Sequence, residues 1–566
     1  MKRDLARLAE REYDVVVVGG GIFGICAAWD AALRGLSVAI LERDDFGQAA
    51  TANCFKMVHG GIRYLQHADV SRVREASRER NVLLRIAPHL VHPLPFVLPT
   101  YGHGFKGKEM LNAAVKIYDL VTWDRNRGIV DLEQCIPAGS VLSRKQCLDL
   151  FPALESADLT GAVLFYEAQM YNPARLALSY LKSAIDAGAA GANYVEAIDF
   201  LRSGNGIVGV RARDALTGSE LEVRGKITVN AAGPWAGPLL RAGLGLRLDP
   251  QPAFSRDAFF LVRGRLSGDY ALGLPSRSKD RDAILSRGSR HLFLVPWRNY
   301  TLVGVWHEVH RGSPETLRLT AADVERFIDE INGIYPPARL DLRNVTACNS
   351  GLILFGDDRQ KAGEHSYAKR SHLIDHAKAH GIDSLVTVIG ARYTTSRGVA
   401  EHVVDMVFHK LGKKPRRAAT STTAICGGRI ERFGEFLSDA VAKRPFGLDP
   451  ETVKALAHNF GSEYPAVLRH ADKDRSLAET LGASRVIKAE VVHAVREEMA
   501  QKLSDVVFRR TDLGTAEFPG EAALTGCAAV MAKELGWDSH RLQAELEQTR
   551  AGFTRFSTEI KQKVIA

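Results

Sequence analysis

The chain has 566 residues, of which 46% are hydrophobic and 25% are charged, so it is too long for one core and two or three globular domains are expected. Its formal net charge of +9 suits an anionic substrate, an anionic membrane surface or nucleic acid. Nucleic acid is not expected as a partner, because basic residues clustered with interleaved aromatics do not occur.

The cysteines and the first residues of the chain indicate the cellular compartment. The seven cysteines show no C-x-x-C pair and no metal-ligand spacing, which predicts free thiols in a reducing, cytoplasmic compartment and no metal site. The first 12 residues are charged and the apolar run that follows is short, so no signal peptide is expected. No stretch reaches the about 18 apolar residues of a membrane span.

Residues 13–43 predict the first half of a doubly wound nucleotide-binding domain. Four valines at residues 15–18 are typical of a strand that is buried on both faces. An alanine-rich helix is expected over residues 25–33 and a second strand over residues 36–41. The turn between the first strand and the helix is glycine-rich and consists of Gly19, Gly20, Gly21, Ile22, Phe23 and Gly24.

This turn predicts an adenine dinucleotide. Gly19 makes the tight exit from the strand, Gly21 lets a pyrophosphate approach the backbone, and Gly24 lets helix and strand pack closely. The N–H groups and dipole of the helix hold the phosphate charge. Glu42, 18 residues beyond Gly24, can accept both ribose hydroxyls and disfavours a 2′-phosphate, although Arg43 follows it. The motif alone does not separate FAD from NAD.

Residues 48–65 combine small polar residues with a glycine pair. Gly60 and Gly61 would let the backbone approach a ring system, and Arg63 and Tyr64 offer forked and hydroxyl donors for an anion. The alternative for His59 is a structural histidine, and for Arg63 it is a surface ion pair. The arginine-rich helix expected over residues 68–87 is interpreted as having a solvated face.

Two later strands also end in small residues. The strand expected over residues 220–229 runs into Ala232 and Gly233, where a cofactor has room. The buried strand expected over residues 385–389 ends in Gly390 and leads into a helix that Thr394 and Thr395 could cap. The N-terminus of that helix, with Arg392 beside it, would stabilise negative charge on a flavin; a plain capped helix is the alternative.

The remaining segments predict the other domains. Residues 254–309 alternate with period two, which indicates antiparallel sheet and a floor for a substrate pocket. Residues 106–123 predict a helix that lies either on a membrane surface or in a core. Residues 412–424 are a basic, polar run, interpreted as a linker rather than a nucleic-acid arm, and helices follow it.

The segment His59-Gly60-Gly61-Ile62-Arg63-Tyr64-Leu65, together with the dinucleotide turn, resembles the FAD-dependent glycerol-3-phosphate dehydrogenases, the respiratory, quinone-reducing family. The resemblance covers nearly the whole chain through VNAAGPW (residues 229–235), FLVPW (293–297), VIGARYTTSRGVAEH (388–402), RRTDLG (509–514) and ELGWD (534–538). It implies an α/β fold in which a doubly wound FAD-binding domain carries an inserted antiparallel β-sheet substrate domain and a C-terminal all-helical domain. The predicted bounds are residues 1–70, 150–250 and 350–412 for the FAD domain, 71–149 and 251–349 for the substrate domain, 413–425 for the linker and 426–566 for the helical domain.

The resemblance also implies a reaction and a location. A hydride would pass from C2 of sn-glycerol 3-phosphate to flavin N5, giving dihydroxyacetone phosphate, and the electrons would pass to membrane quinone. Members of the family are peripheral on the inner face of the cell membrane, and a homodimer is among the expectations.

By position, the resemblance implies residue roles. Arg63, Tyr64 and Arg370 are expected to hold the substrate, His59 and His307 are candidate bases, and Arg392 is expected to stabilise reduced flavin. The expected cofactor contacts are Gly19, Gly20, Gly21, Ile22, Phe23, Gly24, Glu42, Arg43, Thr51, Gly60, Gly61, Ala232, Gly233, Gly390, Arg392, Thr394 and Thr395.

The chain departs from the family's motifs on the substrate side. The family's Ser-Gly-Val-Arg-Pro-Leu is SGLILF here (residues 350–355), so Ile353 replaces a substrate arginine. Gly-Gly-Lys becomes Gly390-Ala391-Arg392, Thr-Thr-Asp becomes Val305-Trp306-His307, Gly-Ser-His becomes Ser255-Arg256-Asp257, and the Ser-Ser before Lys56 becomes Cys54-Phe55.

These departures leave two readings open. Losing one charged hydrogen-bonding pair weakens substrate binding by roughly 1.5–3 kcal/mol. Arg392 or Arg256 would restore the lost charge, and Arg256 would then be a substrate contact. Alternatively, Ile353, Trp306 and Phe55 reshape the pocket for a less anionic substrate. The chain would then be a paralogue that oxidises another small alcohol, hydroxy acid or amine, with oxygen as a conceivable acceptor, or a flavoprotein that has lost activity.

Overall fold

The computed structural model describes residues 1–102, 108–155, 157–249, 251–280, 289–355, 364–365 and 370–565. Within these residues the strands form two sheets, of eight and ten strands. The helices are Leu5–Ala9, Ile22–Leu33, Val70–Ile86, Lys108–Val121, Arg144–Leu150, Pro173–Asp186, Ala236–Leu244, Ala321–Ile334, His376–His380, Ser396–Lys410, Phe433–Lys443, Pro450–Phe460, Tyr464–Lys473, Lys488–Glu498, Leu503–Asp505, Glu521–Leu535 and Ser539–Ile565.

The first sheet is built on the predicted strand of valines. Tyr13–Val18 pairs in parallel with Val38–Leu41 on one side and with Glu220–Asn230 on the other, and Leu385–Ile389 continues the sheet beyond. Because these strands run the same way, their carboxyl ends meet at one edge, where doubly wound folds bind ligands. The strands of this sheet are Tyr13–Val18, Val38–Leu41, Ala190–Ala192, Val195–Ser203, Gly206–Asp214, Glu220–Asn230, His372–Asp375 and Leu385–Ile389.

The second sheet is mostly antiparallel, as the period-two pattern predicts. Ala253–Arg263 lies between Tyr300–His310 and Val345–Phe355 and pairs with both in antiparallel register. The domain bounds stay predictions, although Leu159–Met170 and Val345–Phe355 belong to this sheet. Its strands are Met57–Val58, Val91–Tyr101, Ser140–Ser143, Leu159–Met170, Ala253–Arg263, Ala271–Asp280, Ser289–Trp297, Tyr300–His310, Val345–Phe355 and Glu364–His365.

The two faces of the second sheet have different surroundings. Alternate residues of a strand point to opposite faces, and Phe260 joins the core under helix Ala321–Ile334 while Phe259 joins Met57 and Trp297 on the other face. Trp306 is on the helix face: its ring stacks on Phe260 and Phe327, and its Nε1 donates to Glu330 at 3.0 Å. The expectation that Trp306 reshapes the pocket is therefore wrong.

The C-terminal helices dock through buried ion pairs on the loop after strand Val38–Leu41 and on helix Pro173–Asp186. Asp45, which is 0% exposed, accepts from Arg510 Nη2 at 2.7 Å and also binds Arg509. Arg175 donates to both carboxylate oxygens of Glu498, at 2.8 and 2.6 Å. Removing one member of such a pair leaves a buried charge without its partner and costs about 3–5 kcal/mol, so these contacts hold the helical region in place.

Candidate flavin and substrate site

A cavity of about 1770 Å³ lies between the carboxyl edge of the first sheet and the inner face of the second. This volume exceeds the about 300–1000 Å³ of a typical small-molecule site, as a dinucleotide requires. Among the expected cofactor contacts, those on its wall are Gly19, Gly21, Ile22, Phe23, Glu42, Arg43, Thr51, Ala232, Gly233, Gly390 and Arg392.

Two positions of the glycine turn have no space for a side chain. Gly19 has φ +107°, and a Cβ there would lie 2.6 Å from the carbonyl oxygen of Ala231. A Cβ on Gly24 would lie 2.0 Å from the carbonyl oxygen of Gly19. Helix Ile22–Leu33 starts at Gly21 without a side-chain cap, while the N–H of Ile22 donates to Thr51 Oγ1 at 3.0 Å. Apart from the bond to Thr51, no described side chain accepts from the first turn of this helix, and its N-terminus at the cavity fits a pyrophosphate.

Glu42 lies on the wall at the end of its strand. Its carboxylate accepts from the N–H of Gly20 at 2.6 Å and from the N–H of Asp44 at 2.9 Å. Desolvation by the surrounding protein raises its pKa to about 7, against these bonds. The guanidinium of Arg43 lies 4.2 Å from the ring of Trp235, a cation–π contact. A carboxylate beside this helix N-terminus fits the ribose of an adenine dinucleotide, so the residues present suit FAD.

The third segment of the wall follows strand Leu385–Ile389. A Cβ on Gly390 would lie 1.9 Å from the ring of Phe23, so only glycine fits between the helix and this turn. The predicted capping by threonines is wrong: helix Ser396–Lys410 has no side-chain cap. Thr394 Oγ1 instead accepts from the N–H of His59 at 3.2 Å and thus joins two of the predicted segments.

The His59-Gly60-Gly61 turn rests on a buried ion pair that sequence reasoning missed. Glu167, 3% exposed, accepts from the N–H of Gly60 and from Arg80 Nη1, the latter at 2.9 Å. Tyr118 donates to the carbonyl of Gly60 at 3.1 Å. A Cβ on Gly60 would lie 2.3 Å from Arg80 Nη1, so this glycine is required by the ion pair; Gly60 and Gly61 are not on the cavity wall.

Arg80 also corrects the interpretation of its helix. The arginine-rich pattern predicts a solvated face, but Arg80 is 1% exposed and Arg72 is 5% exposed. The helix Val70–Ile86 packs one side of its arginine-rich surface against the turn. An arginine at helical spacing shows no sign of its partner in sequence, because Glu167 lies 87 residues away.

Cationic side chains gather beside this turn. Two guanidinium groups lie over the ring of Tyr64, Arg392 at 4.8 Å and Arg72 at 4.6 Å from its centroid. Although 54% of the side-chain surface of His59 is solvent-accessible, desolvation by neighbouring groups lowers its pKa; Glu167 opposes this shift, and the charges of Arg63 and Arg392 add to it. His59, Arg63 and Arg392 are therefore close enough to interact.

His291 is a second residue that sequence reasoning missed. Burial lowers its pKa to about 4, and the charge of Arg63 adds to the shift. Arg370 is exposed and precedes Ser371, whose hydroxyl accepts from the N–H of Ala391 at 3.1 Å. The structure thus places Arg370 at the border of the turn that carries Arg392.

The two remaining candidates lie on strand Ala253–Arg263 and its neighbour. Arg256 binds Glu308 and, at 2.9 Å, Asp323, at the helix-covered face of the sheet, so its position does not favour a substrate contact. His307 Nδ1 lies 2.7 Å from Asp257 Oδ1, directly across the antiparallel register. Two departures from the family's motifs therefore form one contact.

Ile353 lies on the cavity wall, on the face of the sheet that also carries Phe259, because it pairs with Ser255 in register. Phe55 packs edge-on against Phe259, with ring centroids 5.2 Å apart. Of the three residues expected to reshape the pocket, Ile353 is the one placed where a ligand would touch it.

A dinucleotide site at a sheet edge, closed by a second, antiparallel sheet, is typical of flavin-dependent oxidoreductases. The family model described as FAD dependent oxidoreductase matches residues 14–406, and that of the C-terminal domain of alpha-glycerophosphate oxidase matches residues 418–542. The chain is 30% identical to a glycerol-3-phosphate dehydrogenase of Synechocystis, over 96% of this chain and 97% of that protein. It is also 30% identical to the human mitochondrial glycerol-3-phosphate dehydrogenase, over 95% of this chain and 73% of that protein.

The chain belongs to the FAD-dependent glycerol-3-phosphate dehydrogenase family. The predicted family, fold class, cofactor and enzyme class are confirmed: it is an FAD-dependent oxidoreductase. The fold also matches a glycerol-3-phosphate dehydrogenase from Bacillus halodurans solved with FAD, with a TM-score of 0.75, 23% identity and coverage of 97% of this chain and 96% of that chain.

Proposed function

We propose that the protein oxidises sn-glycerol 3-phosphate to dihydroxyacetone phosphate and passes the electrons to membrane quinone. The observation that carries this proposal is the group of cations beside His59, where the charges of Arg63 and Arg392 act together and Arg392 lies on the wall of the flavin cavity. Arginine forks suit a phosphate dianion. Relatives named glycerol-3-phosphate dehydrogenase over nearly the full length support the substrate.

Each residue of the site has its own role in the proposed reaction. Arg63, Tyr64 and Arg370 hold the phosphate, and the contacts of the Tyr64 ring with Arg72 and Arg392 keep that ring in place. Arg392 also supports negative charge on the cofactor. The FAD, when bound, supplies the acceptor for the C2 hydride, while the hydroxyl proton must go to a base.

His59 is the preferred base and His307 is the second candidate. The lowered pKa of His59 keeps its imidazole neutral near pH 7, as a base requires. Glu167 lies 4.0 Å from His59 Nδ1 and stabilises the imidazolium that forms when the proton arrives. His307 is oriented by Asp257 at 2.7 Å and has the residue type needed, but the charges of Arg63 and Arg392 act on His59. Neither histidine is among the residues on the cavity wall.

A second candidate function rests on Ile353. An apolar side chain at the position of a substrate arginine favours a less anionic alcohol, hydroxy acid or amine. The test is anaerobic stopped-flow reduction of the bound flavin by glycerol 3-phosphate, glycerol, small hydroxy acids and amino acids. Fast reduction by glycerol 3-phosphate supports the first function; reduction by unphosphorylated compounds alone supports the second. Reduction by none of them contradicts both.

The variant Ile353→Arg tests the pocket directly. One added charged hydrogen-bonding pair is worth roughly 1.5–3 kcal/mol, so we expect a ten- to hundred-fold lower KM for phosphate substrates. Ile353→Leu is the matched control, since it retains the apolar character. An unchanged KM in Ile353→Arg would mean that this position does not face the substrate.

Membrane contact is proposed through an apolar patch around helix Lys108–Val121. Ile117, Leu120, Trp123, Val130 and Leu132 are 53–85% exposed, and such side chains suit the interface of a bilayer. No helix in the described part of the chain is long and apolar enough to cross a membrane. Binding to anionic vesicles that falls in Leu120→Ser and Trp123→Ser would support the patch, and equal binding would contradict it.

The electron acceptor is tested by comparing the rate at which the reduced protein reduces a soluble quinone with the rate at which it reduces oxygen. The homodimer stays a prediction.

A further inference from the structure

Lys56 is a buried lysine on the wall of the flavin cavity that the proposed reaction does not use. It is 3% exposed and follows the loop that forms part of that wall. Its Nζ lies 4.7 Å from the ring of Trp297 and 5.1 Å from the ring of Phe259. Among the described side chains, no carboxylate lies within 4.0 Å of this ammonium and none accepts a hydrogen bond from it.

Such a position is costly for the folded protein. A buried charge without a counter-ion is destabilising, and aromatic faces offset only part of the loss. Lys56 also has φ +61°, a left-handed conformation that side chains other than glycine rarely adopt. Its carbonyl accepts from the N–H of Met170 at 2.7 Å, which holds this geometry. Strain and a buried titratable group at one residue are characteristic of functional positions.

The charges around Lys56 favour an anionic ligand beside it. Burial lowers its pKa to about 8; the Cys54 thiol opposes the shift, and the charge of Arg298 adds to it. Arg298 is itself bound by Asp512, so that carboxylate is already used. An anionic ligand in the cavity would raise the pKa of Lys56 and hold it as an ammonium.

The phosphate site does not account for Lys56. The strand Met57–Val58 separates Lys56 from His59, and at about 3.3 Å per residue the two Cα atoms are roughly 10 Å apart. Arg63 and Arg392 are gathered beside His59, while Lys56 is enclosed by the aromatic face of the second sheet. Lys56 lies on the wall of the cavity assigned to the flavin, and His59 does not.

We propose that Lys56 is the buried counter-charge of the bound flavin and that it favours the negative charge which the ring gains on reduction. A cation in a desolvated site stabilises developing negative charge more than one in water does. This role depends on FAD, which the family shows, and is independent of which alcohol is oxidised. The other groups that face Lys56 are Cys54 and Arg298, and through Arg298 also Asp512.

The test is the reduction potential of the purified holoprotein, measured by spectroelectrochemistry with mediator dyes and without substrate. Lys56→Met keeps an unbranched chain and removes the charge. We expect its reduction equilibrium to shift about tenfold towards oxidised flavin, a potential about 30 mV lower for a two-electron couple. Lys56→Arg should keep the wild-type potential. Lys454→Met is the control, because Lys454 is exposed and pairs with Glu451 in the C-terminal helices.

The pH dependence adds a second readout. The difference between wild type and Lys56→Met should be full below the pKa of Lys56 and should fade as pH rises above it, because the wild-type charge is then lost. Equal potentials from pH 6 to 9 would overturn the proposal. A second result would also overturn it: Lys56→Met folds but fails to bind oxidised FAD, and Lys56→Arg binds FAD with an altered potential. Lys56 would then serve cofactor binding alone. Failure of glycerol 3-phosphate to reduce the flavin would leave this measurement unaffected.

Discussion

Replacing Glu167 by glutamine removes one charge from the ion pair that supports the His59-Gly60-Gly61 turn. Glu167 and Arg80 are 3% and 1% exposed, and their nearest atoms are 2.9 Å apart. After the substitution Arg80 keeps its bond to the carbonyl of Tyr166 at 2.8 Å but loses its carboxylate. Breaking a buried pair in this way lowers the free energy of unfolding by about 3–5 kcal/mol.

The same substitution changes the candidate base. Desolvation lowers the pKa of His59 and Glu167 opposes this shift, so Glu167→Gln should lower the pKa further. The neutral imidazole then persists to lower pH, and the acidic limb of the profile of kcat/KM should move to lower pH. Each unit of displacement corresponds to about 1.4 kcal/mol. We also expect a lower kcat, because the imidazolium loses its stabilising carboxylate.

Two assays check this prediction. Urea unfolding followed by circular dichroism gives the free energy, and steady-state kinetics from pH 5 to 9 gives the profile. Glu220→Gln is the control: Glu220 pairs with Arg213 at 3.6 Å with both side chains about half exposed, and such pairs contribute about 0–1 kcal/mol. A loss below 1 kcal/mol in Glu167→Gln, or an acidic limb that moves to higher pH, would refute the reasoning.

The remaining predictions concern the cofactor and the docking of the helices. Gly24→Ala puts a Cβ 2.0 Å from the carbonyl oxygen of Gly19; we expect purified protein without the flavin absorbance band, and normal FAD content would contradict the geometry. Asp45→Asn leaves Arg509 and Arg510 buried without their shared carboxylate and should cost about 3–5 kcal/mol, seen as faster proteolysis of the C-terminal helices. Burial raises the pKa of Asp45, but Arg510 and Arg509 outweigh it and hold the pKa well below the ordinary value. The stabilisation is therefore present above the unfolded pKa of about 3.9 and is lost as pH falls further; a pH-independent free energy of unfolding between pH 5 and 2 would argue against it.

Local patterns in the chain predicted a large part of the fold. The predicted strand at residues 385–389 occurs with those bounds, as Leu385–Ile389, and helices follow the basic run at residues 412–424 as predicted, the second of them Pro450–Phe460. Helix Pro173–Asp186 begins after Asn172, whose side chain accepts from the N–H groups of Ala174 and Arg175. Such signals are readable because backbone requirements, capping and the period of apolar residues act between near neighbours.

The side-chain partners could not be read in the same way. Arg80 meets Glu167, Asp45 meets Arg510, and His307 meets Asp257 across separations of 87, 465 and 50 residues. A charged residue has the same appearance in sequence whether its partner is water or a buried carboxylate, so the arginine-rich helix was interpreted as solvated.

The rest of the site depends on which face of the second sheet each side chain occupies and on the pairing register of its strands. Trp306 and His307 are consecutive, yet one packs under helix Ala321–Ile334 and the other meets Asp257. The amino-acid sequence by itself determined that an adenine dinucleotide binds and where the backbone must approach it, since those demands lie within a few residues. Only the tertiary structure decided which cations gather beside His59 and that Lys56 stands buried at the cavity, because burial and charge pairing depend on which distant surfaces pack together.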